Sequence, residues 1–367
     1  MGETENLRAR CDVTLGFPHD GDPKPAGRLR AIADFIEQRG CGDDTYLGGP
    51  LAEELERYVA SLTGQPAALW FPTGTMAQGV AALIHAAETK RDTLLLHPSS
   101  HLELHERHGY REAHHLKAEL TEAWQHVVCT DDVRAAETDP AAVFIELPAR
   151  HSGGALPEWD ALLALRDATR ARGARLHVDG ARLWTCTEAY PGRTLADIGA
   201  VADSVYVSFY KDIGALGGAA LCGPEAFIEQ AKIWRERLGG LLIRGWPMMA
   251  DALRLLPERL GRMPAYVARA KLLSAMIADR SGFEIEPAQP RTAMFHVRMP
   301  MTGAMAQAAR DHAAKETGVW IANRFWGYEA DDIRSAEITV GERVMAADPD
   351  RIAAAFAAMA NYARDNA

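Results

Sequence analysis

The chain has 367 residues, a formal net charge of −10, 48% hydrophobic residues and 25% charged ones. This is ordinary globular composition, long enough for one large and one small domain with a substantial core. The acidic balance argues against non-specific nucleic-acid binding, which needs a positive footprint, and no apolar run approaches the ~18 residues of a membrane span.

The N-terminus, MGETENLRAR, lacks an apolar signal core. The five cysteines (Cys11, Cys41, Cys129, Cys186, Cys222) are odd in number, scattered and without CxxC spacing. They read as reduced thiols of a cytoplasmic protein, not as a disulfide frame or zinc site. Residues 1–25 carry little periodicity and are expected to be an extended N-terminal arm. Helical spacing of apolar residues predicts helices over 26–39 and in LAEELERYVASLTG, the second ending at a glycine. Strands follow at AALWF, TLLLH, VVCT, AAVFIEL, LHVD, SVYVSF and AALCG, most of them separated by helical stretches such as LPEWDALLALRDATRARG. This alternation predicts an α/β fold with a mainly parallel sheet covered on both faces, spanning residues 26–250. From 251 to 367 a long helical region leads into FEIEP, AMFHVRMP, VWIA and SAEITVG and then a final helix, which reads as a smaller α+β domain. No internal repeat or low-complexity linker interrupts the chain.

The most informative segments are LHVDGARLW and SFYKDIGALGG. They put Asp179 and Arg182 at the end of one apolar run and Lys211 at the end of another. An acid that pairs with a pyridine nitrogen and a lysine that forms a Schiff base are how an enzyme holds pyridoxal 5′-phosphate. A lysine amine becomes a useful nucleophile when partly desolvated or near cations, and a strand end supplies such a place. Gly214, Gly217 and Gly218 allow backbone and ligand to approach closely. Read alone, Asp179 serves equally well as the N-cap of a helix starting at Gly180. In FPTGTMAQ a strand ends at Phe71, and Thr73, Gly74 and Thr75 open a helix. Free N–H groups and hydroxyls there make a phosphate cradle, or simply a capped helix.

Residues 97–115 hold six histidines: His97, His101, His105, His108, His114 and His115. The spacing of His101, His105 and His108 puts them on one helix face, which raises a metal site. No carboxylate or cysteine is placed to complete it, and no metal is expected. A flat imidazole stacked on the cofactor ring fits His101 better.

These pieces, in this order, resemble the low-specificity threonine aldolases of the β-eliminating lyase group, within the fold-type I pyridoxal-phosphate enzymes. The matching stretches are GDDTYLGGPLAEELE, FPTGTMAQ, SHLELHERHG, IELPARHSGGALP, LHVDGARLW, ADSVYVSFYKDIGALGG and RERLGG, and more weakly AMFHVRM and IRSAEITVG. The resemblance implies a homodimer or homotetramer with active sites at a subunit interface. Lys211 resembles the Schiff-base lysine, Asp179 the pyridinium partner, His101 the stacking histidine and Glu106 the acid that follows it. Gly74 and Thr75 match the phosphate turn, beside Thr73. Arg182 matches an arginine reaching the cofactor hydroxyl and the substrate carboxylate. Arg334 matches a second carboxylate-binding arginine, although a surface ion pair is the competing reading. Carboxylate recognition favours a bidentate guanidinium.

The departures cluster around the substrate pocket. The family's N-terminal serine–aspartate–threonine stretch is CDVTLGFPH here. Tyr210 precedes the lysine where a small hydroxyl residue is usual, leaving Ser208 as the hydroxyl near the cofactor. TDDVRAAETDPAAV offers no histidine for the substrate hydroxyl, LLIRGW leaves Arg244 for the phosphate, and Glu337 stands where a histidine is usual. The activity implied is Cα–Cβ cleavage of a β-hydroxy-α-amino acid to glycine and an aldehyde. Its base would be His101, a water or His151, though His151 serves equally as a turn residue. β-Elimination, transamination and racemisation use the same lysine–aspartate pair and stay open, whereas the intact Lys211 and Asp179 argue against a non-catalytic scaffold.

Overall fold

The computed structural model describes residues 3–15, 25–40, 43–122, 126–327 and 333–366, with side chains from residue 6 onward. Cys41 and part of the CDVTLGFPH stretch lie outside the described residues. Within them the strands are β1 (Val13–Thr14), β2 (Ala67–Phe71), β3 (Thr93–Leu96), β4 (Lys117–Leu120), β5 (Ala142–Glu146), β6 (Arg175–Gly180), β7 (Ser204–Ser208), β8 (Ala219–Gly223), β9 (Glu284–Glu286), β10 (Met294–Met299), β11 (Val319–Trp320) and β12 (Arg334–Thr339). The chain divides into two compact units: Pro23–His151 with Leu156–Gly261, and Met1–Asp22, Ser152–Ala155 and Arg262–Ala367.

The larger unit is built on one sheet of order β2-β8-β7-β6-β5-β3-β4. β7, β6, β5, β3 and β4 pair in parallel, while β8 runs antiparallel to both its neighbours. All five residues of β7 are buried, as a strand covered on both faces requires. The helix Gly74–Thr89 lies on one face, with Ala77, Val80, Ala81 and Ile84 in the same core as Leu69, Leu94, Phe144 and Leu221. The helix Pro50–Thr63 stops where expected, because Gly64 takes the left-handed conformation and closes it.

Three expectations are corrected. VVCT is not a strand: Cys129 is the N-cap of the helix Thr130–Ala135. The edge strand is instead β4, whose burial runs exposed, intermediate, intermediate, exposed, so it shows no apolar alternation. The N-terminal segment is not extended throughout, since Glu3–Arg10 is helical, with Leu and Ala among its helix formers and Arg8 and Arg10 in its last turn. The long helical region after Gly245 is two helices, Trp246–Leu260 in the larger unit and Met263–Ser281 in the smaller. Pro264, in the first turn of the second, suits a helix start and not an interior.

In the smaller unit β12, β10 and β9 form an antiparallel sheet, and β1 pairs in parallel with β11. The helices Gly303–Thr317 and Met263–Ser281 both pack against Pro349–Asp365. Among the described residues, no helix is long and apolar enough to cross a membrane.

Candidate active site

A pocket in the larger unit is lined by His101, His105, Glu146, Pro148, Arg150, His151, Asp179, Ala181, Arg182 and Lys211. It brings together Lys211, Asp179, Arg182, His101 and His151 of the residues expected from sequence. Asp179 stands on β6 and Glu146 on β5, and the two are register partners. Lys211 sits in the turn after β7. Carboxyl ends of parallel strands are where open α/β sheets place their ligands.

Each wall has a physical cause. Asp179 is a strand residue, not a helix N-cap: its Oδ1 accepts from Ala181 N at 3.0 Å and its Oδ2 from Gln78 Nε2 at 2.5 Å. Burial, and next the Arg182 guanidinium, lower the Lys211 amine to about 8. That makes the free amine available far nearer neutrality than for an ordinary lysine. His101 opens the short helix His101–Leu104. Its Nδ1 is 2.9 Å from Glu106 Oε1, which fixes the ring, and its backbone N–H donates to Glu146 Oε1 at 2.8 Å.

Glu146, half-buried, also accepts from Arg150 N at 3.0 Å, so one carboxylate ties together the backbone at His101 and at Arg150. Burial, followed by the Asp179 carboxylate, pushes it above the usual range. Arg182 Nε lies 3.9 Å from Asp212 Oδ1. Burial raises Asp212 to about 6 against the attraction of Arg182.

The histidine cluster is not a helix face. The helix ends at Leu104, and Arg107 and His108 take positive φ values of 54° and 55°. His108 turns to Glu103 at 3.1 Å, whereas His105 Nε2 meets His151 Nε2 at 2.7 Å with near-coplanar rings, 11° apart. At that distance one ring donates its Nε2–H to the Nε2 lone pair of the other. Among the described residues, the His, Cys, Asp and Glu groups close enough to share a metal are His126, Cys129 and Asp132. There Asp132 already caps the Cys129 N–H at 2.7 Å and bonds His126 at 3.2 Å.

At the phosphate turn Thr73 is the helix N-cap, its Oγ1 accepting from Met76 N at 3.2 Å. Gly74 is buried beneath it, and a Cβ there would meet Tyr206 Oη at 2.1 Å. Thr75 is exposed in the first turn. Ser208 donates to Ala181 O at 2.7 Å, tying β7 to the loop that carries Arg182. Arg244 makes a surface pair with Asp43 at 3.0 Å. Arg334 is buried on β12 of the smaller unit, where Nη1 donates to Ile333 O at 2.8 Å.

Sequence reasoning missed Glu146, Arg150, Gln78 and the role of His105. The signal for Glu146 was its place at the end of a strand neighbouring LHVD. Arg150 and His105 carried no signal, because loops bring them in.

Sheet order and a strand-end pocket holding this lysine and aspartate define an enzyme of the fold-type I class. A solved structure described as a candidate L-allo-threonine aldolase of Listeria monocytogenes superposes with a TM-score of 0.89 at 32% identity, covering 98% of this chain and 100% of that one. A low-specificity L-threonine aldolase of Arabidopsis thaliana is 29% identical over 281 residues, 72% of this chain and 78% of its own. An alanine racemase of Cochliobolus carbonum is also 29% identical, over 75% of this chain and 70% of its own. The Beta-eliminating lyase profile matches residues 27–300, and the chain belongs to that family.

Proposed function

We propose that the protein is a lyase that cleaves the Cα–Cβ bond of a β-hydroxy-α-amino acid to glycine and an aldehyde, using pyridoxal 5′-phosphate. The observation that carries this reading is the single pocket lined by Lys211, Asp179, Arg182 and His101. The residues fit that cofactor. A lysine lowered to about 8 suits covalent capture of its aldehyde. The Asp179 carboxylate suits its ring nitrogen, and the helix N-terminus at Thr73, Gly74 and Thr75 suits its phosphate. Bound there, the cofactor supplies an electron sink for the pair released when the Cα–Cβ bond breaks.

The chain's own groups do the rest. His101, braced by Glu106, packs against the ring face. Arg182 holds the substrate carboxylate, with Arg334 as second guanidinium and Arg150 a further cation in the pocket. His151 and His105 take the β-hydroxyl proton: the ring that donates through Nε2 keeps its Nδ1 lone pair as acceptor. Ser208 serves the cofactor through the Ala181–Arg182 loop. The free thiols of Cys11, Cys129, Cys186 and Cys222 support a cytoplasmic setting. Exposed Tyr46, Leu216 and Ile243 support a homo-oligomer, dimer or tetramer.

A second reading, racemisation, is favoured by the alanine racemase relative. A product assay on a panel of β-hydroxy amino acids separates them. Cleavage releases glycine and an aldehyde. Stereoinversion without glycine, or pyruvate with ammonia, would sink the Cα–Cβ cleavage reading in favour of racemisation or elimination.

A further inference from the structure

Asp179 is joined to the interior by a continuous line of buried polar side chains. Gln78 Nε2 donates to Asp179 Oδ2 at 2.5 Å, and Gln78 Oε1 faces His177 Nε2 at 2.8 Å. His177 Nδ1 faces Ser204 Oγ at 2.7 Å, and Ser204 Oγ faces His85 Nε2 at 2.7 Å. None of these four side chains belongs to a residue more than 1% exposed. The line ends at His85 Nδ1, 3.8 Å from Glu88 Oε2, which pairs with the half-exposed Arg175 at 3.1 Å. Two periodicities build it. Gln78 and His85 lie two turns apart on one face of the helix Gly74–Thr89, and His177 and Asp179 share one face of β6. Ser204 is the register partner of His177 on β7.

The direction of every bond is fixed. An ionised carboxylate only accepts, so the Gln78 amide donates and its oxygen faces a donor. His177 Nε2 therefore carries the proton. Burial pushes His177 well below its ordinary pKa, so the ring is neutral and Nδ1 accepts from the Ser204 hydroxyl. The Ser204 oxygen then accepts from the His85 Nε2–H. Every donor points toward Asp179. Apolar side chains would fill this slot without the desolvation cost, and Phe144 and Phe227 already pack on His177 and His85. From Asp179 to His85 Nε2 every link of this buried line is made, which fixes one geometry and polarises each bond in the same sense.

We infer that Gln78, His177, Ser204 and His85 are positioning residues that keep Asp179 an aimed carboxylate, and thereby keep the cofactor's ring nitrogen protonated. This rests on the cofactor reading given above. The test compares the loaded wild-type protein with Gln78→Leu and Ser204→Ala, and with Val80→Ala as a control on the same helix. The readouts are the cofactor's dissociation constant and the pH midpoint of its visible absorption band. Both line variants should weaken cofactor binding roughly two- to tenfold, the range spanned by one hydrogen bond. Both should also move the midpoint in the same direction, while Val80→Ala lowers thermal stability alone. Midpoints unmoved in both, or moved by Gln78→Leu only, overturn the line as a unit. A wild-type protein that retains no band once free pyridoxal phosphate is removed overturns the cofactor reading instead. Should Ser204→Ala fail to fold, ¹⁵N spectra of histidine-labelled wild-type protein decide. A neutral His177 protonated on Nε2 is expected, and a charged or Nδ1-protonated ring defeats the inference.

Discussion

Two walls of the same pocket are built on opposite principles. Behind Asp179, on β6 and the helix Gly74–Thr89, donors and acceptors are paired from Ala181 N through Gln78, His177 and Ser204 to His85. Around Lys211 the groups are held away from their ordinary protonation. The lysine is lowered to about 8 and Asp212 raised to about 6, in both cases first by burial. Both Asp212 carboxylate oxygens are buried without a hydrogen-bond partner among the described residues. The difference teaches a division of labour: one wall holds a charge still, while the other keeps groups near the pH at which protons move. Titratable groups displaced by burial and a specific charge partner are what a reacting centre needs.

The largest test of that division is Lys211→Ala. The moving wall loses its nucleophile, so the variant should keep its fold and lose the covalent yellow chromophore and cleavage altogether. Retention of a borohydride-fixed cofactor in this variant would place the nucleophile elsewhere. Next comes the hydrogen bond between His105 and His151. Replacing either with alanine should leave the chromophore intact and slow cleavage by about 10²–10⁴-fold, the usual weight of a general base. Because the two rings act through one hydrogen bond, the double variant should be little slower than either single one. Additive losses in steady-state kinetics would separate the two histidines.

What the sequence made legible follows the range of the interactions. Asp179, Lys211 and the His101–Glu106 pair stand in short local patterns, and the structure gathers three of them, with Glu106 bonded to His101, at one strand-end pocket. Thr73 reads correctly as the start of a helix because capping is a contact over three residues. Gln78 lies inside the same FPTGTMAQ motif, yet its partners Asp179 and His177 are about a hundred residues away, so nothing local marks it. His105 and His151 are 46 residues apart and meet only because the helix stops at Leu104. The VVCT run is as apolar as the true strands. It becomes a helix lead-in because Cys129 caps the next helix, while the half-polar KAEL occupies the sheet edge, where one exposed side is tolerated.

The smallest expected effect concerns Asp212, and it asks directly whether the moving wall is strained. Its folded carboxyl titrates at about 6 against an ordinary value of 3.8. The native state therefore binds this proton more tightly than the unfolded chain does. That contribution is fully present below 3.8 and is lost as pH rises through about 6. Asp212→Asn has no such titration. The stability difference should thus shift toward the variant as pH rises, by at most roughly 3 kcal/mol once the carboxyl is ionised. Urea unfolding of the cofactor-free proteins at about pH 4.5 and about pH 7.5 measures that shift. The absolute difference also contains the Arg182 pair, which the substitution weakens at both pH values, so the pH dependence and not the offset carries the test. A difference that stays flat would mean that the folded chain does not strain Asp212, and the contrast between the two walls would reduce to Lys211 alone.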